Sequence, residues 1–344
     1  MKKLSFLLVG LMLIVSVFLA ACSSTSTTPS SDDETKDTKT AGTDYPERQI
    51  ELVVPFAAGG GVDLAARAVA DYLSKEWGQP IVVTNKPGGG GIIGAQYVLK
   101  DAKADGYTVL VNNNSSTTMY EAGNSNPTLT TDDNVFASRV AEGSLAFAVK
   151  ADAEWNDLKE LSDWVRENPE ELTWASVGPA GFSSFGVAEW LDSIGVDFKE
   201  TKMVSSEGAS DSAAKVAGGH VMLAVHTVGE LASLVEGGKL KILAVSSEER
   251  SALFPDVPTA TELGIEGLTV KWWTGLSFAK DTPPEIVKKW DEAVGKMEKD
   301  EDFIKQLEKI KLTPSYLNSS DFAEDVQKEK ERYTKLAEDT GIRK

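Results

Sequence analysis

The sequence predicts an α/β fold in which mostly parallel sheets are flanked by helices. Short runs rich in Val, Ile and Leu alternate along the chain with segments whose apolar residues recur at helical spacing. A loop rich in glycine or hydroxyl side chains follows a predicted strand at residues 55–61 and again at residues 176–184. The 344 residues suffice for one large or two medium domains, and the repeated strand, loop and helix unit indicates two related parts.

Residues 1–21 have the parts of an export signal. Two lysines precede an apolar run over residues 4–19, and small residues follow it. A retained membrane anchor is the alternative, but the run is on the short side for spanning a bilayer. The residues Leu-Ala-Ala-Cys that end at Cys22 resemble the lipobox of bacterial lipoproteins. That resemblance implies cleavage before Cys22 and lipidation of its sulfur, which would anchor the protein to the lipid bilayer on the outer face of the cell membrane or in the periplasm.

Residues 22–44 are predicted to form a disordered tether. The segment consists largely of Ser, Thr, Asp and Lys and has almost no apolar surface to bury. About 20 flexible residues reach on the order of 25 Å, so the folded part would stay near the membrane without entering it.

Composition argues against several partners and chemistries. The formal net charge of −18 argues against nucleic acid and against an anionic membrane surface, since both require clustered Lys and Arg. An anionic ligand would therefore have to be recognised by local dipoles. The single cysteine excludes an intramolecular disulfide and a thiolate metal cluster, and two histidines leave little for zinc or general-base chemistry.

The first predicted strand and helix flank a glycine loop. A β-branched run over residues 50–54 ends at Pro55, three glycines follow, and an apolar stripe begins at Leu64. Glycines allow close approach of a ligand to the backbone, and the free amides and dipole of a new helix favour an anion without any basic side chain. Asp63 is expected to be the N-cap of this helix, with a ligand contact as the alternative.

Two more strand ends are expected beside this loop. A predicted strand at residues 80–84 leads into a second glycine loop at 85–91 and a short helix, and a buried strand at 107–111 leads into a polar loop at 112–117. Because the carboxyl ends of parallel strands meet at one edge of a sheet, the three loops should converge there.

The second half repeats this arrangement. Strands are predicted at residues 145–149 and 172–176, and the second leads into small and hydroxyl-bearing residues before a helix. Ser183 and Ser184 are expected either to contact a ligand or to cap this helix. Phe56 and Phe182 are expected to face either the ligand or the core, and Trp273 is expected to pack in the core.

The remaining elements follow from periodicity and capping signals. A helix is predicted to open at residues 205–210, and strands are predicted at 221–225 and 240–245. Thr282 and the two prolines after it predict a capped helix with proline in its first turn, and a last helix is predicted from about residue 320.

Seven motifs stand in the order found in one receptor family. They are Val-Val-Pro-Phe-Ala-Ala-Gly-Gly-Gly-Val-Asp at 53–63, Asn-Lys-Pro-Gly-Gly-Gly-Gly at 85–91, Asp-Gly-Tyr-Thr at 105–108, Gly-Gly-Lys-Leu at 237–240, Phe-Pro-Asp-Val-Pro-Thr at 254–259, Trp-Thr-Gly-Leu at 273–276 and Thr-Pro-Pro-Glu-Ile-Val at 282–287. Over residues 45–344 the chain resembles the substrate-binding proteins of tripartite tricarboxylate transporters, also called Bug-type receptors.

The resemblance implies a two-lobed fold of the periplasmic-binding-protein type (type II). One lobe would comprise residues 45–145 and 271–344, and the other residues 146–270. It also implies a monomeric receptor, without cofactor or enzymatic activity, that captures a small organic carboxylate for the integral membrane subunits of a secondary transporter.

The implied site lies between the lobes. Carried over by position, the expected ligand-binding residues are Phe56, Ala57, Gly59, Gly60, Gly61, Asp63, Gly88, Gly89, Gly90, Asn113, Ser115, Ser116, Ser176, Gly178, Ser183, Ser184, Gly208 and Ala209. No catalytic residue and no metal ligand is expected.

Other interpretations of these motifs are weaker. Gly89, Gly91 and Gly94 fit a dinucleotide fingerprint, but the acidic residue expected about 20 positions later is absent, and no Gly-Lys-Ser or Gly-Lys-Thr follows either glycine loop. His220 and His226, six residues apart around a predicted strand, are read as surface or strand-end residues that stand too far apart for one tight metal site. Neither histidine is expected in a loop at the glycine-rich side, which disfavours an enzyme. An exported hydrolase or transferase that uses Ser183 or Ser184, and a surface interaction protein without a small ligand, remain the alternatives.

Overall fold

A 17-residue strand, β4 (Asn134–Lys150), runs through both halves of the fold. The structure is a computed structural model that describes residues 44–343. The predicted export signal, Cys22 and all of the predicted tether except Asp44 lie outside the described residues.

Ten strands and ten α-helices, joined by loops and short helical turns, make up the fold of residues 44–343. The strands are β1 (Ile50–Val54), β2 (Ile81–Asn85), β3 (Thr108–Asn113), β4, β5 (Thr173–Ser176), β6 (Lys202–Ser205), β7 (Leu223–Thr227), β8 (Leu240–Val245), β9 (Lys271–Ala279) and β10 (Thr313–Leu317). The helices are α1 (Gly61–Trp77), α2 (Ile92–Gln96), α3 (Thr118–Gly123), α4 (Leu158–Glu167), α5 (Phe182–Ser193), α6 (Ala209–Ala217), α7 (Val228–Glu236), α8 (Pro284–Met297), α9 (Glu301–Lys309) and α10 (Ser319–Thr340).

The strands form two sheet regions that share β4. Along its amino-terminal part the order is β2-β1-β3-β9-β4-β10, which we call the first lobe together with α1, α2, α3, α8 and α9. Along its carboxyl-terminal part the order is β8-β4-β7-β5-β6, which we call the second lobe together with α4 to α7.

The predicted α/β fold class is confirmed, and both sheet regions are mixed. The parallel pairs are β1–β2, β1–β3, β5–β6 and β5–β7, and the pairs made by β4 and by β9 are antiparallel. The loops that follow β1, β2 and β3 therefore leave one edge of the first lobe. Those that follow β5, β6 and β7 leave one edge of the second.

Local sequence explains the central elements. Ile50, Leu52, Val53 and Val54 of β1 are all buried, as expected of a strand covered on both faces. In α8, Pro284 takes the first helical position, where its missing N–H is not needed. The predicted cap at Thr282 is wrong, because Pro283 is the N-cap and the Thr282 hydroxyl donates to the carbonyl of Ala279.

Strand β4 and helix α10 connect the lobes. Ser144 of β4 pairs with Lys271 of β9 in the first lobe, whereas the next residue, Leu145, pairs with Thr227 of β7 in the second. The helix α10 packs against α3 of the first lobe and α5 of the second, where the rings of Tyr333 and Phe185 lie 5.0 Å apart. Within residues 44–343, no helix has the length and apolar character needed to cross a membrane.

Candidate ligand-binding cleft

Three loops of the first lobe meet at Gly91. A Cβ atom at this position would lie 2.9 Å from Cζ of Phe56 in the loop after β1 and 2.9 Å from Cβ of Ser116 in the loop after β3. Only a glycine permits this approach, and the four residues Gly88 to Gly91 all have positive φ angles, between 59° and 132°. The predicted convergence of the three loops is thus present, with Gly91 at its centre.

Asp63 holds two of these loops together. Its buried carboxylate accepts hydrogen bonds from the amide of Gly59 (2.8 Å), from Nε and Nη2 of Arg67 (3.0 and 2.9 Å) and from Nδ2 of Asn85 (2.9 Å). Asn85, at the end of β2, also donates to the carbonyl of Phe56. Burial acts to raise the pKa of Asp63, but the hydrogen bonds from Arg67, Gly59 and Asn85 outweigh it and keep the pKa below its usual value.

The N-cap of α1 is Gly60, so the prediction that Asp63 caps this helix is wrong. Gly60 offers no side-chain cap, and a Cβ added there would meet only the carbonyl of Ala57, at 3.8 Å. Residues 57–60 are exposed and Gly61, the first residue of α1, is partly exposed, so the loop that leads into α1 is open toward solvent. Below them, a Cβ on Gly61 would lie 3.5 Å from the indole of Trp272, which makes this ring the floor of the loop cluster.

The polar loop after β3 is braced by its own side chains. Oδ1 of Asn113 accepts the amide of Ser116, and the hydroxyls of Ser116 and Thr117 donate to the carbonyl of Asn113. Ser115 keeps partial exposure, whereas Asn113 and Ser116 are buried. The buried Oδ1 of Asn114 has no hydrogen-bond partner among the described residues.

The second lobe presents the loop between β5 and α5. The hydroxyl of Ser184 donates to the carbonyl of Gly178 (2.6 Å) and approaches the Ser176 hydroxyl (2.9 Å), and the hydroxyl of Ser183 donates to the carbonyl of Val225 (2.6 Å). The N-cap is Gly181, so neither serine caps α5. Both hydroxyl protons are used within the lobe, and the amide of Ser184 donates to the carbonyl of Gly181 (3.0 Å), so the amides of Phe182 and Ser183 are the first-turn groups left to face a ligand.

The start of α6 lies at the same edge of this sheet. Ser205, at the end of β6, pairs in parallel with Ser176 at the end of β5. The amide of Ser206 donates to the carbonyl of Ser176, and Gly208 is the N-cap before Ala209.

The two histidines differ in position. His220 is exposed, but His226 is buried at the end of β7, with Nε2 3.5 Å from the hydroxyl oxygen of Ser183 and Nδ1 3.9 Å from Glu230. The surface interpretation is right for His220 and the strand-end interpretation is right for His226, but that strand end lies beside Ser183 because β7 ends at the same edge as β5. Within residues 44–343, no group of three or more His, Cys, Asp or Glu is arranged to hold a metal ion.

The lobes touch at two places near the start of α5 and the start of α7. A Cβ added to Gly123, at the end of α3, would overlap Cβ of Ala180 in the loop before α5. A Cβ added to Gly229, in the first turn of α7, would lie 2.8 Å from Cβ of Lys311 in the first lobe. A surface cavity of about 450 Å³ lies elsewhere, and its lining, which includes Phe136, contains none of the loop residues.

A family comparison agrees with this geometry. Residues 65–342 match the model of the tripartite tricarboxylate transporter family receptor. The chain belongs to this family. As a family member it is a receptor and not an enzyme, since the solved neighbours are also binding proteins.

Individual relatives cover most of this receptor. It is 35% identical over 301 residues to the UPF0065 protein in the gbd 5′ region of Cupriavidus necator, covering 85% of this chain and 88% of that protein. Among solved structures, MatC from Rhodopseudomonas palustris with bound malate is 26% identical with a TM-score of 0.75, over 85% of this chain and 99% of that one. A second R. palustris protein, solved with adipate, is also 26% identical with a TM-score of 0.75, over 86% of this chain and 98% of that one. These likenesses confirm the two-lobed periplasmic-binding fold.

Several residues of this receptor's cleft were not predicted from the sequence. Arg67 and Asn85 orient Asp63, Trp272 forms the floor, and His226 lies beside Ser183. The spacing of Asp63 and Arg67, four residues apart in a helix, is a sequence signal for their ion pair. The other three depend on contacts with distant segments.

Proposed function

We propose that this protein is an extracytoplasmic receptor that binds a small organic acid between its lobes and delivers it to the membrane subunits of a tripartite tricarboxylate-type transporter. The main support is the contact of Gly91 with Phe56 and Ser116, which brings three strand-end loops and the start of α1 to one point. The periplasmic neighbours, and those solved with malate and adipate, support an acid as the ligand.

The acid would be held by backbone amides and ordered water. Three cations lie within the first-lobe loops and α1, and all are already engaged: Arg67 pairs with Asp63, Lys75 pairs with Asp71, and Nζ of Lys86 lies 4.0 Å from the ring centre of Tyr97. Amides at helix N-termini bind carboxylates without a positive side chain, and water-mediated bonds are nearly as favourable as direct ones. Such recognition also suits a chain with a net charge of −18, whose overall field repels anions.

The ligand would contact both lobes. In the first lobe we assign it to Phe56, Ala57, Gly59 to Gly61, Gly88 to Gly90 and Ser115. In the second we assign it to the first-turn amides of α5 and α6, around Ser183 and Ala209. Asp63, Asn113, Ser116, Ser176 and Ser184 would act as positioning residues, because their side chains are bonded within their own lobe.

A matched pair of variants tests the backbone cradle. Gly60 has an ordinary φ of −81° and open space around it, so Gly60→Val adds bulk without backbone strain. Titration calorimetry with malate and adipate should show binding to the wild type and at least about 100-fold weaker binding to Gly60→Val. Ala58→Val places the same side chain at an exposed position in the same loop and should change affinity by less than about threefold. Equal affinity of the wild type and Gly60→Val would contradict binding of the acid by the backbone amides of this loop.

The alternative hydrolase is disfavoured by the state of Ser183. Its hydroxyl proton is donated to Val225, and the 3.9 Å between His226 and Glu230 is too long for a hydrogen bond. NMR spectra of malate and adipate incubated with the protein should show stoichiometric binding, and spectra of their dimethyl esters should show no release of methanol. Catalytic turnover would support the enzyme instead, and the absence of binding to any carboxylate would support a surface interaction protein.

We also propose that lipid on Cys22 anchors the receptor and that residues 22–44 act as its tether. Labelled palmitate should be incorporated into the wild-type protein in its bacterial host and should not be incorporated into Cys22→Ala. Equal labelling of the two proteins, or no labelling of the wild type, would contradict the lipid anchor and support an uncleaved membrane segment.

A further inference from the structure

His226 is a buried histidine in the wall of the proposed cleft. It lies in β7 opposite Ala146 of β4, and only 6% of its surface is exposed. Its Nε2 lies 3.5 Å from the hydroxyl oxygen of Ser183, which is in the first turn of α5. An acid bound at the first-turn amides of α5 would therefore lie close to this ring.

The hydrogen bonds around the ring determine where a second proton can go. The Ser183 hydroxyl donates to the carbonyl of Val225, so its oxygen can only accept from the imidazole, and Nε2 carries the proton of the neutral ring. This leaves Nδ1 unprotonated, 3.9 Å from Oε2 of Glu230. That carboxylate also accepts the amide and hydroxyl of Thr227, so it is held in place beside the ring.

Few charges surround the ring. Among the described residues of the strands and helices packed on β7, Glu230 is the one charged group found to act on His226. Asp211 and Lys215 of α6 pair with each other at 2.6 Å, and Glu189 of α5 is bonded to the amides of Thr269 and Val270. Burial lowers the pKa of His226 and Glu230 partly offsets this, so the ring is neutral at pH 7 without a ligand.

We propose that His226 takes up one proton from solvent when an acid binds in the cleft, and that the imidazolium then pairs with Glu230 while it faces the carboxylate of the ligand. This inference rests on the proposed function and adds a specificity determinant to it. A neutral ligand of the same shape would bind without taking up a proton. The receptor would therefore prefer anions although no Lys or Arg is assigned to the cleft.

The direction of the pH dependence follows from linkage. The nearby anion raises the pKa of His226 in the complex above its value in the free protein, so affinity rises as pH falls between the two values. The change is at most about tenfold per pH unit for one proton, and affinity becomes flat above the pKa of the complex.

The chain has two histidines, and this allows a sharp test. Titration calorimetry with malate at pH 7, in two buffers of different ionisation enthalpy, should give proton uptake by the wild type. His220→Gln removes the exposed histidine and should leave this uptake unchanged, whereas His226→Gln should abolish it and flatten the dependence of Kd on pH. Imidazole NMR signals of the wild type provide a measurement that does not depend on any variant folding, since only the His226 signal should shift its titration midpoint upward with malate.

Two outcomes separate this inference from the function on which it rests. If malate and adipate bind without proton uptake, and His226→Gln has the pH profile of the wild type, the inference is wrong and the receptor function stands. If no carboxylate binds at any pH, the proposed function itself fails.

Discussion

Asp63→Asn is predicted to destabilise the protein because it breaks the cluster that joins the first two loops. The carboxylate of Asp63 is 2% exposed and accepts four hydrogen bonds, two on each oxygen. Asparagine has the same shape but turns one acceptor into a donor, so two of the four donors lose their partner. A buried donor left unpaired costs about 1–3 kcal/mol, and Arg67 is half exposed and can turn to water.

We therefore expect a loss of about 2–4 kcal/mol in the free energy of unfolding. At about 2.1 cal/mol/K per residue, a folded part of about 300 residues has an unfolding entropy of about 0.6 kcal/mol/K, so Tm should fall by about 3–6 °C. Because Gly59 is released from Asp63, affinity for malate or adipate should also weaken. Urea unfolding, thermal unfolding and calorimetry measure these effects.

The same helix supplies the control. Asp71 and Lys75 form an ion pair with the same spacing in α1, at 2.8 Å, but both side chains are more than half exposed. Asp71→Asn should therefore change stability by less than about 0.5 kcal/mol. If Asp63→Asn and Asp71→Asn were equally stable and bound ligand equally well, the assigned role of Asp63 would be refuted.

Three further predictions concern α10, the glycine loop and the lobe contact. Burial raises the pKa of Glu329 to about 7, so the stability contributed by the protonated carboxyl is fully present below the unfolded pKa and is lost as pH rises through about 7. Glu329→Gln should therefore reduce the fall in the free energy of unfolding between pH 5 and 8, measured by urea unfolding. The same dependence on pH in the variant and the wild type would contradict this. Gly90 has a φ of 68° and open space around it, so Gly90→Ala should lower the free energy of unfolding by about 1–2 kcal/mol. Gly91→Ala should lower it by about 1–3 kcal/mol more, because the new Cβ meets the side chains of Phe56 and Ser116. Equal losses in urea unfolding would show that the loops are not packed at Gly91. Gly123→Ala should hold the lobes apart at Ala180, so the radius of gyration from X-ray scattering should increase and the affinity for malate should fall. An unchanged radius of gyration and an unchanged affinity would show that the lobes do not touch there.

Sequence patterns predicted the strands and loops whose signal is local. The strand predicted at residues 80–84 is β2 at Ile81–Asn85, and the one at 107–111 is β3 at Thr108–Asn113. The strand predicted at 145–149 is only the carboxyl end of β4. Its earlier part includes partly exposed polar residues such as Arg139 and Glu142, so it has no continuous apolar run.

A buried strand of the first lobe was missed for a related reason. β9 (Lys271–Ala279) was not predicted, although all of it except Lys271 is buried. Its Trp, Thr, Gly and Ser residues dilute the apolar pattern, and its burial results from pairing with β3 and β4, which are distant in sequence. The mixed character of the sheets could not be predicted for the same reason.

The amino-acid sequence by itself determined the local elements, the glycine loops at strand ends and the family to which the chain belongs, because these depend on residue types within short segments. Only the tertiary structure decided which polar groups form hydrogen bonds with one another. The Ser183 hydroxyl reaches Val225, 42 positions away, Asp63 reaches Asn85, 22 positions away, and His226 reaches Ser183, 43 positions away. Hydrogen bonds form between groups that folding brings within about 3 Å, and no local pattern encodes that distance.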